Sequence, residues 1–164
     1  MGDLSDPETA IGPIISSRQA DRVKSHVADA LEKGAKLLHG GEWLGNCCPP
    51  TILSDVTSEM VVFGEETFGP VTSIYTVDSL EQAMQLANDT SYGLSCAIFT
   101  SDISSAMKAA AKSDAGMVHI NAMSIQDEPH IPFGGNGMSG LGREGTDADP
   151  DIMTRWKWIT IQVD

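Results

Sequence analysis

The residues best suited to chemistry in this sequence form an acidic and aromatic stretch at positions 65–70, Glu-Glu-Thr-Phe-Gly-Pro. A carboxylate can accept hydrogen bonds from two hydroxyls of a sugar, and an aromatic ring can stack on a flat heterocycle. Glu66 and Phe68 are two positions apart, so in an extended segment their side chains project to the same side. A surface glutamate beside a core phenylalanine is the alternative interpretation.

The three cysteines do not predict a nucleophile. Cys96 lies in a predicted strand among small apolar neighbours, where a free cysteine usually serves as a small core residue. Cys47 and Cys48 precede two prolines in a predicted loop, and no helix start or basic residue adjoins them to lower a thiol pKa. A free-standing enzyme that uses Cys96 as its nucleophile is therefore the weakest hypothesis.

The histidines do not predict a metal site, because they form neither an i, i+4 pair on a helix nor part of a Cys-x-x-Cys motif. They stand at His26, His39, His119 and His130, and we expect His119 to pack within a strand. Residues 135–140 match Gly-x-Gly-x-x-Gly, the dinucleotide-binding pattern, which needs a strand directly before it and a helix directly after it. Here the nearest predicted strand ends near Asn121, and residues 141–145 are poor helix formers. We therefore interpret the glycines as a loop that needs positive φ and close backbone approach.

The elements that must position these residues alternate between helix and strand. Ser16 and Gln19 form a capping-box pattern before a helix that Gly34 ends. Strands are predicted at 71–77, 96–99 and 117–120, with helices that begin after Ser79 and Asp102. This order is typical of a parallel α/β sheet. Residues 158–163 alternate like a lone terminal strand that must join a sheet of its own fold or of a neighbouring subunit.

Composition favours a soluble globular domain and excludes several classes of partner. The chain has 164 residues, of which 41% are hydrophobic, and a net charge of −13. Such acidity repels nucleic acid and anionic lipid, and no apolar run is long enough to cross a membrane. An odd number of cysteines and no recognisable signal peptide favour a reducing, cytoplasmic location.

Taken together, several segments resemble the aldehyde dehydrogenase superfamily, in family order over nearly the whole chain. The matching segments are residues 6–13, 65–71, 87–94, 99–102, 116–121, 132–135 and 139–145. The resemblance implies the α/β fold of that family, with a parallel-sheet portion of its catalytic domain at 1–146 and a linker and oligomerisation strand at 147–164. It also implies a homo-oligomer, a dimer or tetramer, that pairs through this strand.

The resemblance also assigns roles to particular residues. The second glutamate of the 65–70 motif holds the nicotinamide ribose of NAD or NADP in this family, and its phenylalanine packs by the nicotinamide, which implies Glu66 and Phe68. The segment from Asn121 to Phe133 would border the aldehyde entrance, so Ile125, Asp127 and Phe133 are the expected entrance residues.

Several motifs of the family are missing from this sequence, and their absence limits the function that we expect of the chain. The nucleophilic cysteine, the general-base glutamate and the nucleotide-binding domain of the family belong to upstream motifs that do not occur in this sequence. We therefore expect no catalytic residue here, a chain that resembles the last third of such an enzyme, and no activity of the chain alone. Gly137 also replaces a lysine that many members carry in this loop.

Two features favour members that oxidise aromatic aldehydes to acids: the acidic segment 127–130 before Pro132, and the ending at 158–162. The alternative hypothesis is a non-enzymatic truncated module that acts in assembly or partner binding through its terminal strand.

Overall fold

The computed structural model describes residue 1, residues 4–145 and residues 148–163. The chain divides into two compact units, Met1–Thr76 and Val77–Asp164. The domain boundary expected between residues 146 and 147 falls outside the described residues and remains a prediction. No helix among the described residues is long and apolar enough to cross a membrane.

The first unit is organised by helix α1, Ser17–Glu32. The Ser16 hydroxyl accepts a hydrogen bond from the backbone N–H of Gln19 at 3.2 Å, so the predicted N-cap is confirmed. Val23 and Val27 lie on the buried face of the helix. Gly34 follows the helix end with φ +101°, a left-handed conformation that favours glycine.

A three-stranded sheet packs beside α1 in the order β1-β2-β3, with β1 at Lys36–His39, β2 at Thr51–Ser54 and β3 at Val71–Ile74. β1 and β2 are antiparallel, whereas β2 and β3 are parallel. Leu53 of β2 is fully buried in a core that also contains Val27, Ala30, Val56 and Met60. The short helix α2, Val61–Gly64, leads from this core into the 65–70 loop.

The second unit contains one parallel and one antiparallel strand pair. Its elements are α3 Leu80–Asn88, β4 Tyr92–Gly93, β5 Ser95–Ile98, α4 Ile103–Lys112, β6 Met117–Ile120, β7 Asn136–Gly137 and α5 Ala148–Met153. β5 and β6 are parallel, and β4 pairs with β7 in antiparallel. Ser79 and Asp102 cap α3 and α4 as predicted, because their side chains accept hydrogen bonds from first-turn amides.

Several sequence-based expectations need correction. The sheet directions are mixed rather than wholly parallel, and the strand predicted at 71–77 ends at Ile74. β2 and α2 were not predicted, and the segment expected from residue 147 onward as a linker contains the helix α5. Residues 154–163 form neither helix nor strand, and their side chains are exposed, so the chain by itself does not form the predicted terminal strand.

Leu53→Ala should lower the free energy of unfolding by about 2–5 kcal/mol, because it removes buried methyl groups and leaves a cavity. Leu38→Ala is the matched control, since Leu38 lies on β1 and is 56% exposed. We expect a change of less than about 0.5 kcal/mol for the control. Urea denaturation followed by circular dichroism measures both, and equal effects would contradict the assigned core.

Candidate functional site

The 65–70 loop lies between α2 and β3, and it presents Glu66 and Phe68 to solvent. The Phe68 side chain is 73% exposed and Glu66 is also exposed. Within the described part of the chain, no hydrogen bond or ion pair occupies the Glu66 carboxylate. A free carboxylate beside an exposed ring can accept ligand hydroxyls and cover a flat heterocycle, so both predicted side chains are available.

The backbone of this loop is not extended. This corrects the expectation that an extended segment projects the Glu66 and Phe68 side chains to the same side. Phe68 has φ +51°, in the left-handed region, so the two side chains do not alternate as they would in a strand. A residue with a Cβ held in that region costs on the order of 1–3 kcal/mol and persists only where its surroundings fix it.

Helix α1 supplies the contacts that fix the loop. The Gln19 side-chain amide donates to the carbonyl of Thr67 at 2.9 Å and, at 3.4 Å, to that of Phe68. The Arg22 guanidinium donates to the Glu65 carboxylate at 3.0 Å and to the carbonyl of Glu66 at 3.3 Å. Gln19 therefore does not complete the predicted capping box, since its side chain holds the loop instead of returning to the helix start.

Two of the three predicted entrance residues line an open pocket of about 330 Å³ in the second unit. Asp127 and Phe133 belong to its walls, together with the β6 residues Val118 and His119. Ile125 is not among the lining residues and is 85% exposed. The predicted entrance group is therefore only partly gathered around one pocket.

His119 has a buried nitrogen that sequence reasoning did not anticipate. Its Nε2 atom is inaccessible to solvent and has no hydrogen-bond partner among the described residues. A buried polar atom without a partner destabilises a fold by about 1–3 kcal/mol. The residue does lie in strand β6, as expected.

The glycine-rich loop at 134–142 packs against itself and against Gly116. A Cβ added at Gly116 would lie 2.1 Å from the carbonyl oxygen of Gly134, so the backbone approach is closer than any side chain permits. Gly137 has φ +58°, and no helix begins at this loop. The predictions of positive φ and close approach are confirmed, and the structural context of a dinucleotide fingerprint is absent from the described residues here.

Arg143 ties the glycine-rich loop together. Its guanidinium donates to the carbonyls of Gly135, at 2.8 Å, and Gly142, at 3.1 Å, and to the Asn136 side-chain oxygen at 2.8 Å. Phe133 and Glu144 bridge in antiparallel at the base of the loop. One planar cation thus fixes several carbonyls at once, and this arrangement places Phe133 at the pocket wall.

All three cysteines are buried or half-buried. Cys48 is 1% exposed, and burial raises the pKa of its thiol, which opposes formation of a thiolate. Cys96 is half-buried within β5, as a small core residue would be. The described residues contain no group of three or more His, Cys, Asp or Glu side chains that could hold a metal ion.

Comparison with known proteins assigns the chain to a family. Residues 1–159 match the aldehyde dehydrogenase family. The chain belongs to that family. The matched range contains the 65–70 loop and the residues that line the pocket described above.

Similar members of the aldehyde dehydrogenase family act on aromatic aldehydes, according to their names. The chain is 42% identical to a vanillin dehydrogenase from a Pseudomonas species, over 98% of this chain and 34% of that protein. It is 42% identical to a benzaldehyde dehydrogenase from Bacillus subtilis, over 99% of this chain and 33% of that protein. The chain thus spans about a third of the length of these curated relatives.

A solved member of the aldehyde dehydrogenase family shares the fold. The crystal structure of a salicylaldehyde dehydrogenase from Pseudomonas putida, complexed with salicylaldehyde, superposes with a TM-score of 0.87. The two sequences are 39% identical, and the match covers 93% of this chain and 32% of that one.

Sequence reasoning missed the residues that support the aldehyde dehydrogenase motifs: Gln19, Arg22, His26 and Arg143. Each acts through backbone carbonyls or neighbouring side chains rather than through a motif of its own. A signal was available for Gln19, Arg22 and His26, because their spacing of three and four positions places them on one face of a predicted helix.

Arg143→Lys should lower the free energy of unfolding by about 1.5–3 kcal/mol, because a lysine cannot reproduce the forked contacts to the loop. Arg155→Lys is the matched control, since Arg155 is exposed and has no partner among the described residues. Urea denaturation measures both variants. Equal stability of the two variants would show that Arg143 does not hold the loop.

Proposed function

We propose that this chain supplies the nicotinamide-ribose contact and part of the aldehyde entrance of an NAD(P)-dependent aldehyde dehydrogenase, which oxidises an aldehyde to a carboxylic acid. The observation that carries the proposal is the 65–70 loop, whose backbone is fixed by α1, while the Glu66 carboxylate has no partner in the described part of the chain and the Phe68 ring is exposed.

The donor set fits the proposed cofactor. A ribose offers two neighbouring hydroxyls, and one carboxylate can accept a hydrogen bond from each. Glu66 would hold the ribose in this way, and the exposed ring of Phe68 would cover the flat nicotinamide. When bound, NAD or NADP accepts the hydride that leaves the aldehyde carbon. Placement of the nicotinamide matters because a displacement of about 1 Å costs on the order of 100-fold in rate.

Asp127, Phe133 and Ile125 are the proposed residues of the aldehyde entrance. Asp127 and Phe133 share the wall of one pocket, and Phe133 offers an apolar face to an aromatic ring. The names of the similar relatives support an aromatic aldehyde as substrate. Ile125 joins this proposal by its exposure and by its place in the same segment.

The nucleophile and the general base of the reaction are proposed to lie outside this chain. Cys48 is too buried to attack a substrate, and Cys96 is a strand residue. The motifs that carry the family nucleophile and base do not occur in the sequence. In this proposal the chain positions the reactants, and thiolate attack and activation of water are performed elsewhere in the enzyme. A reducing, cytoplasmic location is part of the same proposal.

Assembly through the C-terminal segment is a second candidate function, favoured by its exposed apolar side chains. Ile159, Ile161 and Val163 are 70%, 81% and 88% exposed, and they alternate with Thr160 and Gln162 along a segment that forms neither helix nor strand. Exposed alternating apolar residues can add a strand to the sheet of another subunit. This segment is the proposed oligomerisation strand of a dimer or tetramer.

The first of two predictions that follow from the proposed function concerns Glu66. A chimera carries this chain in place of the matching third of the salicylaldehyde dehydrogenase from Pseudomonas putida. In the chimera, Glu66→Gln should lower kcat/KM for the cofactor about tenfold, because an amide loses the charge-assisted hydrogen bonds to ribose. Glu42→Gln, at an exposed glutamate of the same unit, should leave it unchanged. Formation of the reduced cofactor with benzaldehyde is the readout.

Two outcomes would contradict the proposed function. Unchanged kinetics of the Glu66→Gln chimera would remove the proposed ribose contact. Turnover by the chain alone would show that it contains its own nucleophile, against the proposal. Thermal unfolding of each chimera separates loss of binding from loss of fold.

The second prediction concerns assembly. Ile159→Ser, Ile161→Ser and Val163→Ser together should reduce the mass of the chimera from an oligomer to a monomer, as measured by sedimentation velocity. The matched control is Thr160→Ser with Gln162→Ser, which changes the intervening positions and should leave the mass unchanged. An oligomer that survives the triple substitution would contradict the role of this segment.

A further inference from the structure

We propose that His26, a buried side chain of α1, is a positioning residue that keeps the Glu66–Phe68 loop in the conformation that binds the cofactor. The relevance to catalysis rests on the function proposed above, but the effect on the loop does not. His26 is 5% exposed, and its Nδ1 atom lies 3.1 Å from the Thr67 hydroxyl. Its Nε2 atom lies 3.7 Å from the Glu65 carboxylate.

His26 completes a polar stripe that α1 turns toward the loop. Gln19, Arg22 and His26 are three and four positions apart, a spacing that places them on one helix face. Gln19 and Arg22 bind backbone carbonyls of the loop, and Arg22 also binds the Glu65 carboxylate. His26, in contrast, binds the Thr67 side chain. Thr67 is thus held at its carbonyl by Gln19 and at its hydroxyl by His26.

The position of Thr67 decides how its neighbours are presented. Thr67 lies between Glu66 and Phe68, whose own side chains are exposed. On the far side, Gly69 packs directly on α1, since an added Cβ would lie 2.8 Å from the Val23 Cγ2 atom. The left-handed backbone of Phe68 is therefore set by anchors on both sides, at Thr67 and Gly69.

The neighbours of His26 favour its neutral form. Burial lowers its pKa most, and the Arg22 guanidinium lowers it further, while the Glu65 and Asp29 carboxylates act in the opposite direction. With the proton on Nε2, which is the nitrogen nearer Glu65, Nδ1 is free to accept a hydrogen bond from the Thr67 hydroxyl. Protonation at Nδ1 reverses this hydrogen bond, because Nδ1–H then donates to the Thr67 hydroxyl oxygen, and it places a second cation beside Arg22 at a buried position.

The sign of the pH dependence follows from the lowered pKa. A histidine that is neutral in the folded loop but titrates with a pKa of about 6.5 when released favours release as the pH falls. The contact between His26 and Thr67 therefore stabilises the loop fully above the ordinary histidine pKa, and its contribution decreases as the pH falls below that value. The loop should therefore be ordered at about pH 8 and less ordered at about pH 5.

Backbone relaxation of the nitrogen-15-labelled chain tests the proposal without cofactor. At about pH 8 the amides of Glu66, Thr67 and Phe68 should have order parameters near 0.85, roughly the value of rigid backbone. In His26→Leu they should fall below about 0.6, while those of β2 stay unchanged. His26→Gln should restore the loop order, because its side-chain amide can bond the Thr67 hydroxyl, but it should abolish the pH dependence.

The control and the contradicting outcomes are defined in the same experiment. His39→Leu changes an exposed histidine of β1 in the same unit, and it should leave the loop and its pH dependence as they are. Unchanged order parameters in His26→Leu, or a pH dependence that persists in His26→Gln, would overturn the proposal. If His26→Leu does not fold, the pH profile of His26→Gln decides alone.

Failure of this inference can be told from failure of the proposed function. A loop that ignores both His26 variants, in a chimera that still depends on Glu66 for cofactor use, would refute the role of His26 alone. A loop that responds to His26, in a chimera indifferent to Glu66→Gln, would refute the ribose contact alone. In the chimera that keeps His26, we expect the KM for the cofactor to rise at acidic pH. His26→Gln should remove this rise and should leave the KM at about pH 8 within twofold of the value with His26.

Discussion

The hydrogen bond from the Gln19 side-chain amide to the Thr67 carbonyl joins segments that lie 48 residues apart in the sequence. The loop that carries Glu66 and Phe68 depends on this contact and its neighbours, because its left-handed residue is unfavourable by itself. α1 can provide the contacts because its buried side is fixed: Val27 lies in the core around Leu53. The apolar residues thus hold the helix in place, while its polar residues, together with Val23 against Gly69, hold the loop.

The parts of the fold that depend on local physics were predictable from the sequence. The caps at Ser16, Ser79 and Asp102 satisfy amides within the same turn, so residue type and spacing were sufficient. Strand directions were not predictable in this way, because pairing joins distant segments. β2 follows two prolines and has no clear alternation in its four residues, yet it is the central strand that pairs with both β1 and β3.

In the candidate site, too, the residue types follow from the local sequence, whereas the conformation depends on contacts with distant segments. The types of Glu66 and Phe68 were sufficient to predict a binding role, which stays a prediction, and both side chains are exposed. The conformation of Phe68 was not predictable, because nothing in its own neighbourhood requires φ +51°. Gln19 shows why: its position favours a capping box, but a partner far along the chain uses its side-chain amide instead.

Charge limits which end of a dinucleotide this chain can serve under the proposed function. A chain with a net charge of −13 repels a diphosphate, and its glycine-rich loop opens no helix whose amides could offset that repulsion. A carboxylate such as that of Glu66 is likewise suited to ribose hydroxyls and unsuited to phosphate oxygens. Under the proposed function, we therefore expect the groups that hold the phosphates elsewhere in the enzyme and the contribution of this chain at the nicotinamide end. In that case the conformation of the 65–70 loop is the property of this chain that decides how the nicotinamide is oriented.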